Sequence, residues 1–157
     1  MEIRFAEARD VTGILALLRQ VGQVHHQGRP DIFRQGAQKY GASQILAMLD
    51  SSKTPIFVAV AEEKVLGYGF CQVKNYDHDP VFTNRTEIYI DDLCVDENCR
   101  GRGIGKEIYH EILRYAKMRK ATAVTLNVWC CNTEAMAFYE KMGLKPQKIG
   151  MEIQLED

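Results

Sequence analysis

Two adjacent acids inside an otherwise apolar run, Glu87-Ile88-Tyr89-Ile90-Asp91-Asp92-Leu93, are the first residues whose types point to chemistry. Neighbouring side chains on a strand face opposite sides of the sheet, so at least one carboxylate is expected to face the sheet interior or a cleft. A buried carboxylate is costly unless it has a partner or a task. In a regular strand Asp91 shares a face with Glu87 and Tyr89; a bulge would change that assignment. Two readings stand. The pair serves an amine acceptor as base and binding group, or it caps a strand end and pairs with Arg100.

The next segment is Leu93-Cys94-Val95-Asp96-Glu97-Asn98-Cys99-Arg100-Gly101-Arg102-Gly103-Ile104-Gly105-Lys106. It joins an apolar strand pattern to the start of a strongly periodic helix pattern. Closely spaced glycines let the backbone approach a ligand and turn its N–H groups inward. A helix start adds unpaired donors and partial positive charge, which favours an anion. Arg100, Arg102 and Lys106 add formal charge. These features describe a pyrophosphate cradle. A Walker loop is excluded because Lys106 is followed by Glu107, not by a magnesium-binding hydroxyl. A dinucleotide fingerprint is excluded because the glycines fall at Gly-x-Gly-x-Gly spacing. A plain glycine-rich connection is the competing reading.

Downstream, Asn132 is placed to cap a short helix running through Met142 and stopped by Gly143. Ala135, Phe138, Tyr139 and Met142 share one broad face of it. Tyr139 thus sits with apolar neighbours while carrying a hydroxyl that needs a partner. It is either a core tyrosine or a proton donor.

The elements that must position these residues follow from periodicity. Residues 2–8 alternate as a strand, and Asp10 is expected to cap a helix that buries Val11, Ile14, Leu15, Leu18 and Val21. From Gly22 to Gly41 the pattern loosens into a loop with short helical pieces, carrying His25, His26 and Phe33. Ser43–Leu49 is a further helix turn or two. Ile56–Ala61 and Val65–Val73 form a hairpin about Glu62-Glu63-Lys64. A polar loop over 75–85 precedes a strand over Glu87–Val95. Ile104–Arg119 is the clearest helix, Ala123–Trp129 another strand, and Ile149–Leu155 a final one. A mixed α/β chain follows, an α+β sheet covered by helices.

The 157 residues suit a single domain over 1–157. An apolar fraction of 46% with 26% charged residues is ordinary for a globular protein. A net charge of −1 gives no case for nucleic acid. No apolar run approaches the roughly 20 residues of a membrane span. The charged Met-Glu-Ile-Arg-Phe start does not suit a signal peptide, and the expected location is cytoplasmic. Cys71, Cys94, Cys99, Cys130 and Cys131 are odd in number and lack paired metal-ligand spacing. They read as reduced apolar side chains, with no metal and no cysteine nucleophile.

The motifs together resemble the GNAT family of N-acetyltransferases. Arg100-Gly-Arg-Gly103-Ile-Gly105 fits its Arg/Gln-x-x-Gly-x-Gly/Ala motif. Asn132-Thr-Glu-Ala135-Met-Ala-Phe138-Tyr139-Glu-Lys-Met-Gly143-Leu144 is similar to its second cofactor motif, and Ile3-Arg4 through Asp10 to its first strand and helix. The resemblance implies a central, mostly antiparallel twisted sheet of about six to seven strands with a splayed parallel pair, flanked by about four helices. It implies acetyl-CoA as co-substrate. The coenzyme's pyrophosphate would lie on Arg100, Gly101, Arg102, Gly103, Ile104, Gly105 and Lys106. Its pantetheine arm would run along Leu93, Cys94 and Val95, with Asn132, Phe138 and Tyr139 as further contacts.

The resemblance also distributes roles. The matching tyrosine protonates the coenzyme sulfur, which falls to Tyr139. Polyamine acetyltransferases carry two similar acids, the first of which handles the acceptor amine, which carries over to Asp91. Aspartate is shorter than their glutamate, so proton removal would run through water. Enzymes that acetylate a ribosomal protein's N-terminal alanine resemble the chain too, but carry a glutamate base where Asn127 stands. Asn127 can hydrogen-bond but cannot take a proton. The acceptor pocket is expected to involve His25, His26, Phe33, Asp91, Asp92 and Asn127. A small cationic amine, polyamine-like, is the favoured acceptor. Protein N-terminal or lysine acetylation and a non-catalytic acyl-CoA sensor are the alternatives, and a homodimer is an expected assembly.

Overall fold

The computed structural model describes residues 1–156. Its elements are β1 (Glu2–Phe5), α1 (Val11–Gly28), α2 (Ala42–Leu49), β2 (Ile56–Ala61), β3 (Lys64–Asn75), β4 (Thr86–Val95), α3 (Ile104–Met118), β5 (Ala123–Leu126) and α4 (Thr133–Lys141). The chain divides into two compact units, one ending at Asn127 and one beginning at Val128. The first contains a five-stranded sheet in the order β1-β2-β3-β4-β5. Its neighbours are antiparallel except for the parallel pair β4–β5. The mixed α/β class is therefore as expected.

Strand β3 shows why helices cover both faces of this sheet. Tyr68 and Phe70 join Val58, Cys94, and Ile14, Leu18 and Ile45 of α1 and α2 in one buried cluster. The intervening Gly67 and Gly69 face the other way. A Cβ on Gly69 would stand 2.9 Å from Ile112 Cδ1 and 3.1 Å from Ile108 Cγ2, so the missing side chains let α3 lie close. Ile108 and Ile112 are fully buried there.

Three expectations need correction. Helix α1 does not fray at Gly22 but continues through Gly28, which puts His25 and His26 on its last turn. Gly22 is a close-approach residue rather than a breaker, since a Cβ there would fall on the carbonyl oxygen of Ala37. Asp10 stands at the N-cap position of α1 without capping it through its side chain. Its buried carboxylate instead accepts from Arg4 Nη1 at 2.7 Å and from the Glu7 amide at 2.7 Å. Burial pushes that carboxyl up, and the Arg4 and Glu7 hydrogen bonds overcome it to hold it below the usual range. The sheet, finally, has five strands rather than about six to seven. The strand expected over 123–129 ends at Leu126, and no strand is recorded over 149–155. Among its described residues the second unit offers that stretch no strand to pair with, and a strand is defined by its ladder.

In the second unit, Asn132 caps α4 as expected, its Oδ1 accepting from the Ala135 amide at 3.2 Å. Gly143, with φ +97°, ends the helix in a conformation that favours glycine.

Gly22→Ala separates propensity from packing. Alanine favours helix over glycine by about 1 kcal/mol, whereas forcing atoms into a packed site costs about 1–3 kcal/mol. The clash is with backbone, which cannot rotate away, so the variant should lower the urea midpoint. A midpoint unchanged or raised would contradict the close approach.

Candidate active site

The register of β4 against β3 decides where the two acids point. Gly69 pairs with Leu93 and Phe70 with Asp92, but Cys71 pairs with Ile90. Asp91 is thus one residue more than β3 can match, a β-bulge. The expectation that the adjacent acids face opposite sides does not hold. Asp92 accepts from Tyr68 Oη at 2.7 Å. Asp91 Oδ2 accepts from Tyr40 Oη at 2.5 Å, and Asp91 Oδ1 from Lys39 Nζ at 2.9 Å. Lys39 also reaches the Asp91 carbonyl at 3.4 Å. Both carboxylates meet groups on the α1–α2 side, and their recorded partners do not include Arg100.

The segment between α1 and α2 supplies the partners of Asp91, and β3 supplies Tyr68 to Asp92. Tyr40 is fixed by stacking on Phe70, with ring centroids 5.4 Å apart. Gln38 Nε2 donates to the Tyr40 carbonyl at 2.9 Å, and Arg19 to Gln38 Oε1 at 3.3 Å. The same segment brings the expected His25, His26 and Phe33 together. His25 stacks on Phe33 at 4.8 Å, while His26 Nδ1 lies 2.8 Å from the Phe33 carbonyl. Burial holds His25 below its ordinary pKa, against the upward pull of Asp92. Asn127 Nδ2 donates to Tyr89 Oη at 3.2 Å, at the far end of the bulged stretch.

Burial dominates the electrostatics of the pair. It pushes the Asp92 carboxyl up, with the Tyr68 hydrogen bond and the charge of Lys39 opposing, and it pushes both Tyr40 and Tyr68 hydroxyls up beside the carboxylates. Those hydroxyls therefore stay protonated and act as donors. Cys94 is raised to about 12 by burial and by Asp92, and its Sγ lies 3.8 Å from the Leu17 carbonyl. Burial raises Cys71 as well, so both buried thiols are held away from the thiolate form. Among the described residues no group of three or more His, Cys, Asp or Glu is placed to hold a metal ion.

Following β4 towards its C-terminus leads to the glycine turn. The β4–β5 ladder pairs Glu87 with Ala123 through Ile90 with Leu126. Among the described residues, β4 from Asp91 to Val95 has its strand pairing with β3 alone, which leaves its other backbone edge without a ladder along the Leu93–Val95 stretch. Cys94 and Ile104 bury their side chains, which limits both to main-chain contacts with any ligand. Buried Asp96 shapes the turn, accepting from the Asn98 amide at 3.0 Å and lying 3.5 Å from Lys64 Nζ. Gly101 and Gly103 have φ of +76° and +78°, the left-handed region that favours glycine. The first-turn amides of Ile104, Gly105 and Lys106 have no carbonyl one turn earlier within α3, so they are donors for an anion. Arg100, Arg102 and Lys106 stand exposed around them. This donor set fits a diphosphate.

Sequence reasoning missed Lys39, Tyr40 and Tyr68. Tyr68 carried a signal, as a polar-tipped aromatic alternating with glycines in a buried strand. Lys39 and Tyr40 carried none, because their role depends on a loop folding back over β4. Tyr139, Asn132 and Phe138 lie in the second unit, within α4 and its cap.

Asp92 yields a pH test. Its folded pKa is raised above the unfolded value of about 4, so its contribution to stability is full below that pH and is lost as pH rises through the folded pKa. Asp92→Asn should remove this component, and urea midpoints for both proteins from pH 4 to 7 would flatten in the variant. Parallel curves would sink the assignment.

Comparison with known proteins bears on the family and the fold. The model of the acetyltransferase (GNAT) family matches residues 23–144. The BH1408 protein of Bacillus halodurans, solved as a single-site mutant, is 36% identical with a TM-score of 0.94, covering 99% of this chain and 100% of that one. A peptidyl-lysine N-acetyltransferase, YjaB of Salmonella typhimurium, is 32% identical over 93 residues, 59% of this chain. That match spans 52% of the relative's own length. An aminoglycoside acetyltransferase from an uncultured soil metagenomic sample, in complex with sisomicin, shares the fold at 18% identity and a TM-score of 0.73, covering 99% and 96% of the two chains. With the sheet, the glycine turn and the family model in agreement, this chain belongs to the GNAT acetyltransferase family.

Proposed function

We propose that the chain is an acetyl-CoA-dependent N-acetyltransferase acting on a primary amine of a small cationic molecule. One observation carries the choice of acceptor: the bulged Asp91 holds an ammonium, that of Lys39, at 2.9 Å on the strand that leads into the glycine turn. A free amine is protonated at neutral pH, with a pKa of about 10.4, and cannot attack until it loses a proton. A carboxylate with an ammonium at this distance both attracts the acceptor and removes that proton, directly or through water. Tyr40 keeps the carboxylate aimed by occupying its second oxygen.

The glycine turn and the first amides of α3 bind the pyrophosphate, with Arg100, Arg102 and Lys106 adding charge, and the open edge at Leu93–Val95 receives the pantetheine arm. The bound co-substrate supplies the acetyl thioester. Tyr139 donates a proton to the departing sulfur, a role that rests on the motif it shares with the family. Asp92, bonded to buried Tyr68, stands beside Asp91 within the electrostatic reach of His25, and Asn127 and Tyr89 extend the acceptor side.

A second reading has its own support. The amine found at Asp91 is a lysine side chain, and the relative from Salmonella typhimurium is named for peptidyl-lysine. Lysine peptides and polyamines, assayed side by side for thiol release, would choose between the acceptors.

Two variants test the machinery. Tyr139→Phe should lower turnover by about 10²–10⁴-fold, the range for a positioned acid, with coenzyme A affinity by calorimetry near that of the parent. Full turnover would strip Tyr139 of the role. Gly103→Val should abolish coenzyme A binding, because a β-branched residue is strained at φ +78° and its side chain would intrude on the cradle. Undiminished affinity would remove the phosphate site from this turn.

A further inference from the structure

The ammonium seated at Asp91 belongs to the chain itself. Lys39 Nζ touches two oxygens of the bulged residue, Oδ1 at 2.9 Å and the carbonyl at 3.4 Å. The seat is built into the strand, and the lysine reaches it from the segment between α1 and α2. Asp91 retains 11% of its side-chain exposure and Lys39 46%. Lys39 is half in solvent, so its ammonium is open to exchange with another cation at the Asp91 seat. Its neighbour is not free to do so. Tyr40 is held by Phe70 and by the other Asp91 oxygen, which fixes the backbone from which Lys39 reaches.

We propose that Lys39 is itself an acceptor, acetylated in cis on the carboxylate that serves diffusible amines. The inference rests on the acetyl-transfer reading above. Asp91 takes one proton from Nζ. The lone pair this frees attacks the carbonyl carbon of the acetyl thioester and an N–C bond forms; the nitrogen then gives up its second proton as the C–S bond breaks, and that proton converts the departing thiolate to the free thiol, leaving the first proton on Asp91 to pass to solvent. The product amide is neutral and no longer pairs with Asp91. An unmodified Lys39 competes with a cationic acceptor for the seat; an acetylated one leaves it open.

The test uses the full chain with acetyl-CoA and no added amine, followed by peptide mass mapping over time. Exposed Lys53 and Lys120 report the uncatalysed reaction with the thioester. Lys39 should gain one acetyl group at least about tenfold faster than either, at a rate per molecule independent of protein concentration. Asp91→Asn should remove that advantage. Lys39→Arg, an exposed change that keeps the charge, should abolish any rise in amine turnover produced by preincubation with acetyl-CoA in the parent. Lys39 reacting no faster than Lys53 and Lys120, or a rate that climbs with protein concentration, would overturn the proposal. A parallel panel of free amines keeps the two readings apart. Thiol release with an amine while Lys39 stays bare defeats self-acetylation alone. Silence with every acceptor, Lys39 included, defeats acetyl transfer as well.

Discussion

Opposite Phe70 and Cys71, strand β4 carries one residue more than β3 can match, and Asp91 is that residue. In an unbroken ladder its carboxylate would alternate with that of Asp92 across the sheet, one acid towards α1 and the other towards α3. The α3 face is closed by Ile108 and Ile112 resting on bare glycines, and a charge there would be buried without a partner. The bulge turns both acids towards the side where hydroxyls and a lysine can meet them, and it frees the Asp91 carbonyl to contact Lys39. The polar half of the candidate site follows from this slip in register.

The remaining geometry extends along the same strand. Beyond Ile90 the recorded pairing with β5 ceases, and the strand runs through Asp96 into a turn whose two left-handed glycines lead into the first-turn amides of α3. Acceptor seat and anion cradle are thus carried on one continuous stretch of backbone, with its spacing set by strand rise rather than by the packing of separate elements. Buried Asp96, tied to the Asn98 amide and to Gln20, keeps the junction between them from wandering.

Local patterns were legible in the sequence wherever one segment determines its own structure. The hairpin about Glu62 and Glu63, helix α3, the Asn132 cap and the Gly143 stop all follow from periodicity or from single-residue conformational preference. Features that need two distant segments were not. Gly22 looked like a helix breaker because nothing in its neighbourhood announces Ala37 overhead. Asp10 looked like a cap because Arg4, six residues earlier, competes for its carboxylate only once β1 is in place. The bulge was foreseeable as an option, but its position was not, because both register choices leave the same alternating apolar pattern.

The meeting of main chain with main chain at Gly22 and Ala37 has a mechanical consequence. The stretch from Arg29 to Tyr40 is riveted to the body of α1 partway along, so it is poorly suited to swing as a separate flap. Admitting a bulkier acceptor would then call for shortening the side chains that line this wall, while the wall itself stays put.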